Sequence, residues 1–227
     1  MTKKRISVYC TVCTVSFFLC AAGVSPAIAE DAKKQDAGIW AAVTVAPRPF
    51  GGKWHTACTL EYRNNGNFRE ISQWRISANA NYCFNPYLRA GMGYELYLNR
   101  QADGCYLPEY RCFPEATLSY NPGAFSISLR SRLAYIFSRP VKPQWEERNR
   151  LRAICAVGST PLKLFVSAEP YLSLYPAPIL FRKIRYTAGC SFRLNSRQRI
   201  DAYYLHEDFL HIPCVRQVVG IEYGYAF

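Results

Sequence analysis

The sequence predicts an all-β fold: a single antiparallel, up-and-down transmembrane β-barrel of about ten strands, or about twelve, with a polar, arginine-rich lumen. Three observations carry this expectation. Apolar and polar residues alternate through nearly all of the chain from residue 53 onward, with no intervening helical period. The alternating segments run to about 10–15 residues, whereas strands of soluble sandwiches are usually about 5 or 6 and a tilted membrane-crossing strand needs about 9–11. The chain ends with Val219, Ile221, Tyr223, Tyr225 and Phe227 alternating against Gly220, Glu222, Gly224 and Ala226. Such a half-greasy strand closing on an aromatic residue resembles the terminal strand by which outer-membrane barrels close and are recognised for assembly, so Tyr223, Tyr225 and Phe227 are read as that signal.

The other end of the chain gives the same address. Lys3, Lys4 and Arg5 precede a mostly apolar stretch from Ile6 to Val24, and Ala27-Ile28-Ala29 offers a small-x-small cleavage site. Residues 1–29 are therefore read as a secretory signal peptide, removed on export. A lipoprotein signal would need a small residue before Cys20, where Phe18 and Leu19 stand. Three segments follow from this: a signal peptide at 1–29, a periplasmic segment at 30–52, and a barrel at 53–227 in the bacterial outer membrane.

Loss of the leader takes Lys3, Lys4 and Arg5 from the 28 basic residues and none of the 16 acidic ones, leaving a net charge of +9. An exported chain seldom meets nucleic acid. Lipopolysaccharide phosphates, a small anionic solute, or internal Arg–Glu pairing are the better partners for this charge. Outer-membrane lipid and the barrel-assembly machinery complete the expected set of partners.

Seven cysteines remain after the leader: Cys58, Cys83, Cys105, Cys112, Cys155, Cys190 and Cys214. Their spacing suits neither a metal site nor a disulfide framework. Most fall on the apolar phase as small hydrophobes. Cys105 and Cys112 bracket one expected loop and are candidates for pairing.

The strands are expected at 53–64, 69–84, 87–100, 108–120, 124–138, 147–158, 162–175, 180–194, 198–208 and 213–227. Asn85-Pro86, Asn121-Pro122-Gly123, Ser159-Thr160-Pro161 and Asn195-Ser196-Arg197 read as tight periplasmic turns. The longer connections, around Asn65, Asp103, Lys142, Pro178 and Leu210, then fall outside. Residues 38–48 also alternate, but counting them gives an odd total and puts the amino-terminal end outside; the alternatives are a plug in the periplasmic mouth or half of a further pair. Outward-phased aromatics gather toward strand ends, with Trp54, Phe84, Tyr120, Phe125, Phe192 and Phe227 at the turn end and Tyr62, Trp74, Tyr135, Phe137 and Tyr204 at the other. These are read as headgroup girdles.

The same phase sends nearly all ionisable residues inward. The expected lumen network comprises Arg75, Arg89, Glu95, Glu115, Arg130, Arg132, Arg148, Arg150, Arg152, Glu169 and Arg185. Arg130-Ser131-Arg132 and Arg148-Asn149-Arg150-Leu151-Arg152 come from neighbouring strands and stack guanidinium groups that repel unless carboxylates or anions intervene. Glu115 and Glu169 are the natural partners. Two uses of this interior stay open: an ion-pair network that rigidifies and fills a narrow barrel, or a slender passage or pocket that prefers anions.

Chemistry has little to work with. The three histidines are His55, His206 and His211, and no serine shares the outward phase of His206 at its height. A small outer-membrane lipid-modifying hydrolase or protease with a site near His206 is the alternative to a non-enzymatic barrel. His206, Glu207, Asp208 and His211 lack strong metal-ligand spacing, and no glycine-rich phosphate loop leads into a helix. No cofactor or metal is implied.

Several segments resemble an uncharacterised bacterial family catalogued as domain of unknown function 2490, over about residues 38–227. They are Trp40, Leu60-Glu61-Tyr62-Arg63-Asn64, Tyr82-Cys83-Phe84-Asn85-Pro86 with Ala90-Gly91-Met92-Gly93-Tyr94, Leu129 to Leu133, Arg148 to Arg152, and the closing Gly220 to Phe227. The resemblance implies an outer-membrane β-barrel and no established activity, substrate or catalytic residue. The cysteine content and the Tyr175-Pro176-Ala177-Pro178 segment fall outside the family's pattern.

Overall fold

A computed structural model describes residues 33–47, 52–68, 70–176 and 178–227, except for the side chain of Glu70. The expected signal peptide at 1–29 lies outside the described residues. Eleven strands make up the fold: β1 (Lys34–Ala46), β2 (Trp54–Asn65), β3 (Glu70–Cys83), β4 (Leu88–Arg100), β5 (Tyr106–Tyr120), β6 (Phe125–Ser138), β7 (Val141–Ala156), β8 (Leu162–Tyr175), β9 (Leu180–Arg193), β10 (Gln198–Phe209) and β11 (Cys214–Ala226). Each expected strand is present, most within one or two residues. β7 is the exception, starting at Val141 rather than 147. Pro143 makes that stretch look like a loop, but β8 begins to pair with β7 only at Trp145, so the missing N–H lies beyond the shared ladder.

The strands close into one barrel, each paired with its sequence neighbours and β1 with β11. Every pair is antiparallel except β1–β11, which runs parallel from Lys34↔Cys214 to Ala46↔Ala226. The strand count is therefore eleven, not ten or twelve. An odd meander must bring its first and last strands together in the same direction, which puts Lys34 and Ala226 at opposite ends. Residues 34–46, expected within a separate segment at 30–52, are a barrel strand instead. Trp40, Ala42 and Thr44 are buried inside while Ile39 and Val43 are exposed outside, the same period-two pattern as the other strands. Without β1, both β2 and β11 would present a row of unpaired backbone groups.

Loop lengths also differ from expectation. The connections at 66–69, 101–105, 139–140, 176–179 and 210–213 are as a set no longer than those at 47–53, 84–87, 121–124, 157–161 and 194–197. The early starts of β5 and β7 absorb what read as external loop. Two turns at the second end share one device. Asn85 Oδ1 accepts from the backbone N–H of Tyr87 and Leu88, both at 2.8 Å. Asn195 Oδ1 does the same with Arg197 and Gln198, both at 2.9 Å.

Polarity is inverted relative to a water-soluble protein. Met92, Leu118, Leu151 and Val219 are more than half exposed on the outer wall, while Glu95 and Glu207 are fully buried within. The lumen also holds rings, and glycine makes room for them: a Cβ at Gly220 would overlap the Tyr203 ring, and one at Gly93 the Phe113 ring. Outward aromatics cluster as Trp54–Tyr82–Phe84 and Tyr225–Phe227 at one end, and as Tyr62–Trp74 and Tyr110–Phe137–Tyr135–Trp145 at the other. Tyr204 departs from the expected girdle, sitting mid-strand in β10.

All seven described cysteines are free thiols. Cys105 and Cys112 do not pair, because Cys112 lies well inside β5. Seven residues of extended chain separate them by about 23 Å, far beyond disulfide reach.

Candidate functional site

Inward-phased side chains of all eleven strands, from Asp36 on β1 to Arg216 on β11, converge on a layered ion-pair network. Its first hub is Glu95 on β4. Its carboxylate takes Arg132 at 2.8 Å, Arg75 at 3.4 Å and Arg148 at 3.8 Å, and accepts from Tyr97 Oη at 3.0 Å. One carboxylate thus gathers cations from β3, β6 and β7. Around it, Glu61 pairs with Arg63 and with Arg75 at 2.7 Å, and Glu115 pairs with Arg132 at 2.9 Å. Glu146 holds Arg148 at 2.7 Å and Arg111 at 3.4 Å.

Glu207 on β10 is the second hub, with Arg185 at 2.6 Å, Lys183 at 2.7 Å and Arg216 at 3.3 Å. The cause is register: Arg185 and Arg216 are its direct cross-strand neighbours on β9 and β11. Buried pairs of this kind hold geometry through shared hydrogen bonds, and loss of one partner strands the others without water. Rings complete the packing. Arg63 lies 4.0 Å and Arg185 5.2 Å from the Trp40 ring, and Arg132 lies 3.6 Å from that of Phe113.

The β6–β7 hairpin carries the arginine ladder. Arg132 faces Arg148, Arg130 faces Arg150, and Ser128 faces Arg152. Arg132 and Arg148 reach Glu95, and Arg130 reaches Glu169 at 2.6 Å. Arg150 and Arg152 form no ion pair among the described residues; Arg152 rests over the Phe165 ring at 4.3 Å instead. A cavity of about 370 Å³ runs through this region, lined by eleven basic and five acidic side chains. Glu115, Glu146 and Glu207, paired with lining bases, offset part of this positive excess.

The structure brings ten of the eleven expected lumen residues into this connected region. Arg89 stands apart near the 84–87 turn, opposite Thr117, with its Nε buried and without a hydrogen-bond partner among the described residues. Tyr223, Tyr225 and Phe227 lie on the final turn-end stretch, where the Phe227 N–H donates to Ala46 O at 3.2 Å. Sequence reasoning left out Glu146, placed in a loop, and Asp36, placed ahead of the barrel. It also left out Trp40, Tyr97, Phe113, Phe165 and Tyr171 as lumen groups. Their inward phase was the available signal, masked by the habit of assigning rings to the lipid side.

His206 faces outward, with Tyr186 and Gln217 as cross-strand neighbours and the Tyr186 ring 6.4 Å away. Neither neighbour offers a serine-type nucleophile. Among the described residues, no three His, Cys, Asp or Glu side chains gather in a way that could hold a metal ion.

An apolar wall closed around a buried Arg–Glu network defines the class: a β-barrel with a charged interior. Residues 37–211 match the family described as Protein of unknown function (DUF2490), and the chain belongs to that family. The match takes in β1 from residue 37 and ends before β11 begins. No curated protein and no solved structure matches the chain.

Proposed function

We propose that this protein is a non-enzymatic outer-membrane barrel whose narrow, positively lined lumen holds or passes small anions. The observation that carries the reading is the inversion of polarity. Leu151 and Val219 are exposed on the wall, whereas Glu95, Arg132, Arg148 and Glu207 are buried inside it. Exposed apolar surface of this extent marks contact with lipid or with a partner. The proposed lipid partners are outer-membrane phospholipid and lipopolysaccharide, and Tyr223, Tyr225 and Phe227 are proposed to address the chain to the barrel-assembly machinery.

One set of observations favours a second reading, a closed and purely structural lumen. Glu95 bridges three cations from three strands and Glu207 three from two, which stiffens the wall and narrows the bore. Planar-bilayer recording separates the two: anion-selective current reduced by Arg130→Gln supports the passage, and silence from folded, inserted protein supports the closed lumen. Turnover of lipid A or phospholipid that disappears in His206→Ala would replace both readings with the hydrolase alternative.

A further inference from the structure

We propose that Arg130, Arg150 and Arg152 form an oxyanion site in the lumen that takes a phosphate-class dianion, free or carried on a small solute. The site rests on the lumen reading above and gives it a place and a ligand class.

The argument begins with register. Arg130 and Arg150 are directly opposed on β6 and β7, where cross-strand Cβ atoms lie about 4.5–5.5 Å apart. Arg152 follows two residues along the same face, beside Ser167 of β8. Among the described residues, Glu169 is the one carboxylate in ion-pair contact with this trio, 2.6 Å from Arg130. Three guanidinium groups and one carboxylate leave two positive charges. Asp201 and Glu222 line the cavity from β10 and β11 and share one cation, Arg199, each at 3.2 Å, so one of their negative charges remains and lowers the local surplus to one.

The donors are also unspent. Arg130 Nε and Arg152 Nε are buried with no hydrogen-bond partner among the described residues, a state that native proteins normally resolve with water or an ion. Elsewhere in the same lumen the pattern is opposite: Glu95 and Glu207 each collect three cations. Arg75 Nε and Arg148 Nη2 beside Glu95 also lack a hydrogen-bond partner among the described residues, but both arginines keep ion pairs there, whereas Arg150 and Arg152 have none. Phe165 braces the Arg152 guanidinium at 4.3 Å, and Ser167 and Thr187, adjacent in register, add hydroxyl donors to the same cavity wall. Planar guanidinium forks with nearby hydroxyls suit an anion with several oxygens, which can accept two parallel bonds from each fork. Chloride cannot.

The test is calorimetric titration of inorganic phosphate into the purified protein folded in detergent, with folding checked by the heat-dependent gel shift. Saturable binding is expected, weakened at least tenfold by Arg150→Gln and by Arg152→Gln. Arg182→Gln, at an exposed position outside the cavity lining, should bind as the unaltered protein does. Phosphate should also raise the unfolding midpoint of the unaltered protein and fail to raise that of Arg150→Gln. No binding by the folded barrel, or equal binding by the two lumen variants, overturns the site. Competition by a phosphomonoester such as glycerol 3-phosphate indicates a ligand carrying its phosphate; competition by free phosphate alone indicates the ion itself. Phosphate binding without current keeps the site and removes the passage. Anion-selective current with phosphate binding indifferent to these arginines keeps the passage and removes the site.

Discussion

Arg216 on β11 donates from Nε to Asp36 on β1 at 2.7 Å, joining residues 180 positions apart across the single parallel seam. The other oxygen of Asp36 accepts the backbone N–H of Gly66 at 2.7 Å, and Arg216 Nη1 also reaches Glu207 at 3.3 Å. One carboxylate thus ties the first strand to the last and to the β2–β3 turn. Asp36→Ala removes charge-assisted bonds of about 1.5–3 kcal/mol each, discounted here because Arg216 is partly exposed. A loss of about 1–2 kcal/mol in unfolding free energy after that discount is expected, read from a lower midpoint in urea.

The placement of β1 beside β2 predicts a specific cross-link. Val45 of β1 is registered against Cys58 of β2, and directly opposed antiparallel residues have Cβ separations near those of a disulfide, about 4.5–5.5 Å. Val45→Cys should join Cys58 on mild oxidation, giving a faster-migrating band that reductant abolishes. Failure to cross-link, in protein that folds, would place β1 elsewhere.

Glu207 predicts a loss far greater than one surface pair. It is fully buried among Lys183, Arg185 and Arg216. Among the described residues, Glu207→Gln leaves Lys183 without an ion-pair partner and Arg185 with only Glu169 at 3.9 Å, while Arg216 keeps Asp36, and breaking a buried pair costs about 3–5 kcal/mol. Equilibrium refolding in lipid or detergent should show that loss, while Glu147→Gln, on the outer wall, should change little.

Arg150 predicts the opposite sign. It faces Arg130 and pairs with no described carboxylate. Like charges directly opposed in a sheet destabilise by about 0.2–1 kcal/mol. In buffer free of multivalent anions, Arg150→Gln should therefore raise the unfolding midpoint by roughly that amount. A fall would mean that Arg150 already has a counter-charge.

Much of this architecture was legible because side-chain period and strand length are local properties. The alternation of Phe125, Ile127, Leu129 and Leu133 against Ser128, Arg130 and Arg132 fixed both the strand and its inner face. Arg132–Glu115 followed from strand adjacency, whereas Arg130–Glu169 spans β7 and needed the reach of a long side chain as well. Closure was less legible, because pairing between β1 and β11 depends on residues far apart in sequence and on the parity of the whole meander. Residues 38–48 carry the right pattern, but their parallel partner β11 stands at the other end of the sequence. The hubs were hidden for another reason: register decides whether Glu95 meets one arginine or three, and a slip of two residues preserves the alternation while changing every partner.

The central claim is that hydrocarbon bathes the outer wall. Leu151 tests it most directly: it projects from the middle of β7 between Leu129 and Ala168 and is more than half exposed. On a water-facing surface, Leu151→Arg should shift stability by less than about 0.5 kcal/mol. Facing the bilayer core, the same change should cost about 2–4 kcal/mol. Equilibrium unfolding of the two proteins from phospholipid vesicles should show the larger loss, and a variant as stable as the unaltered chain would contradict the account.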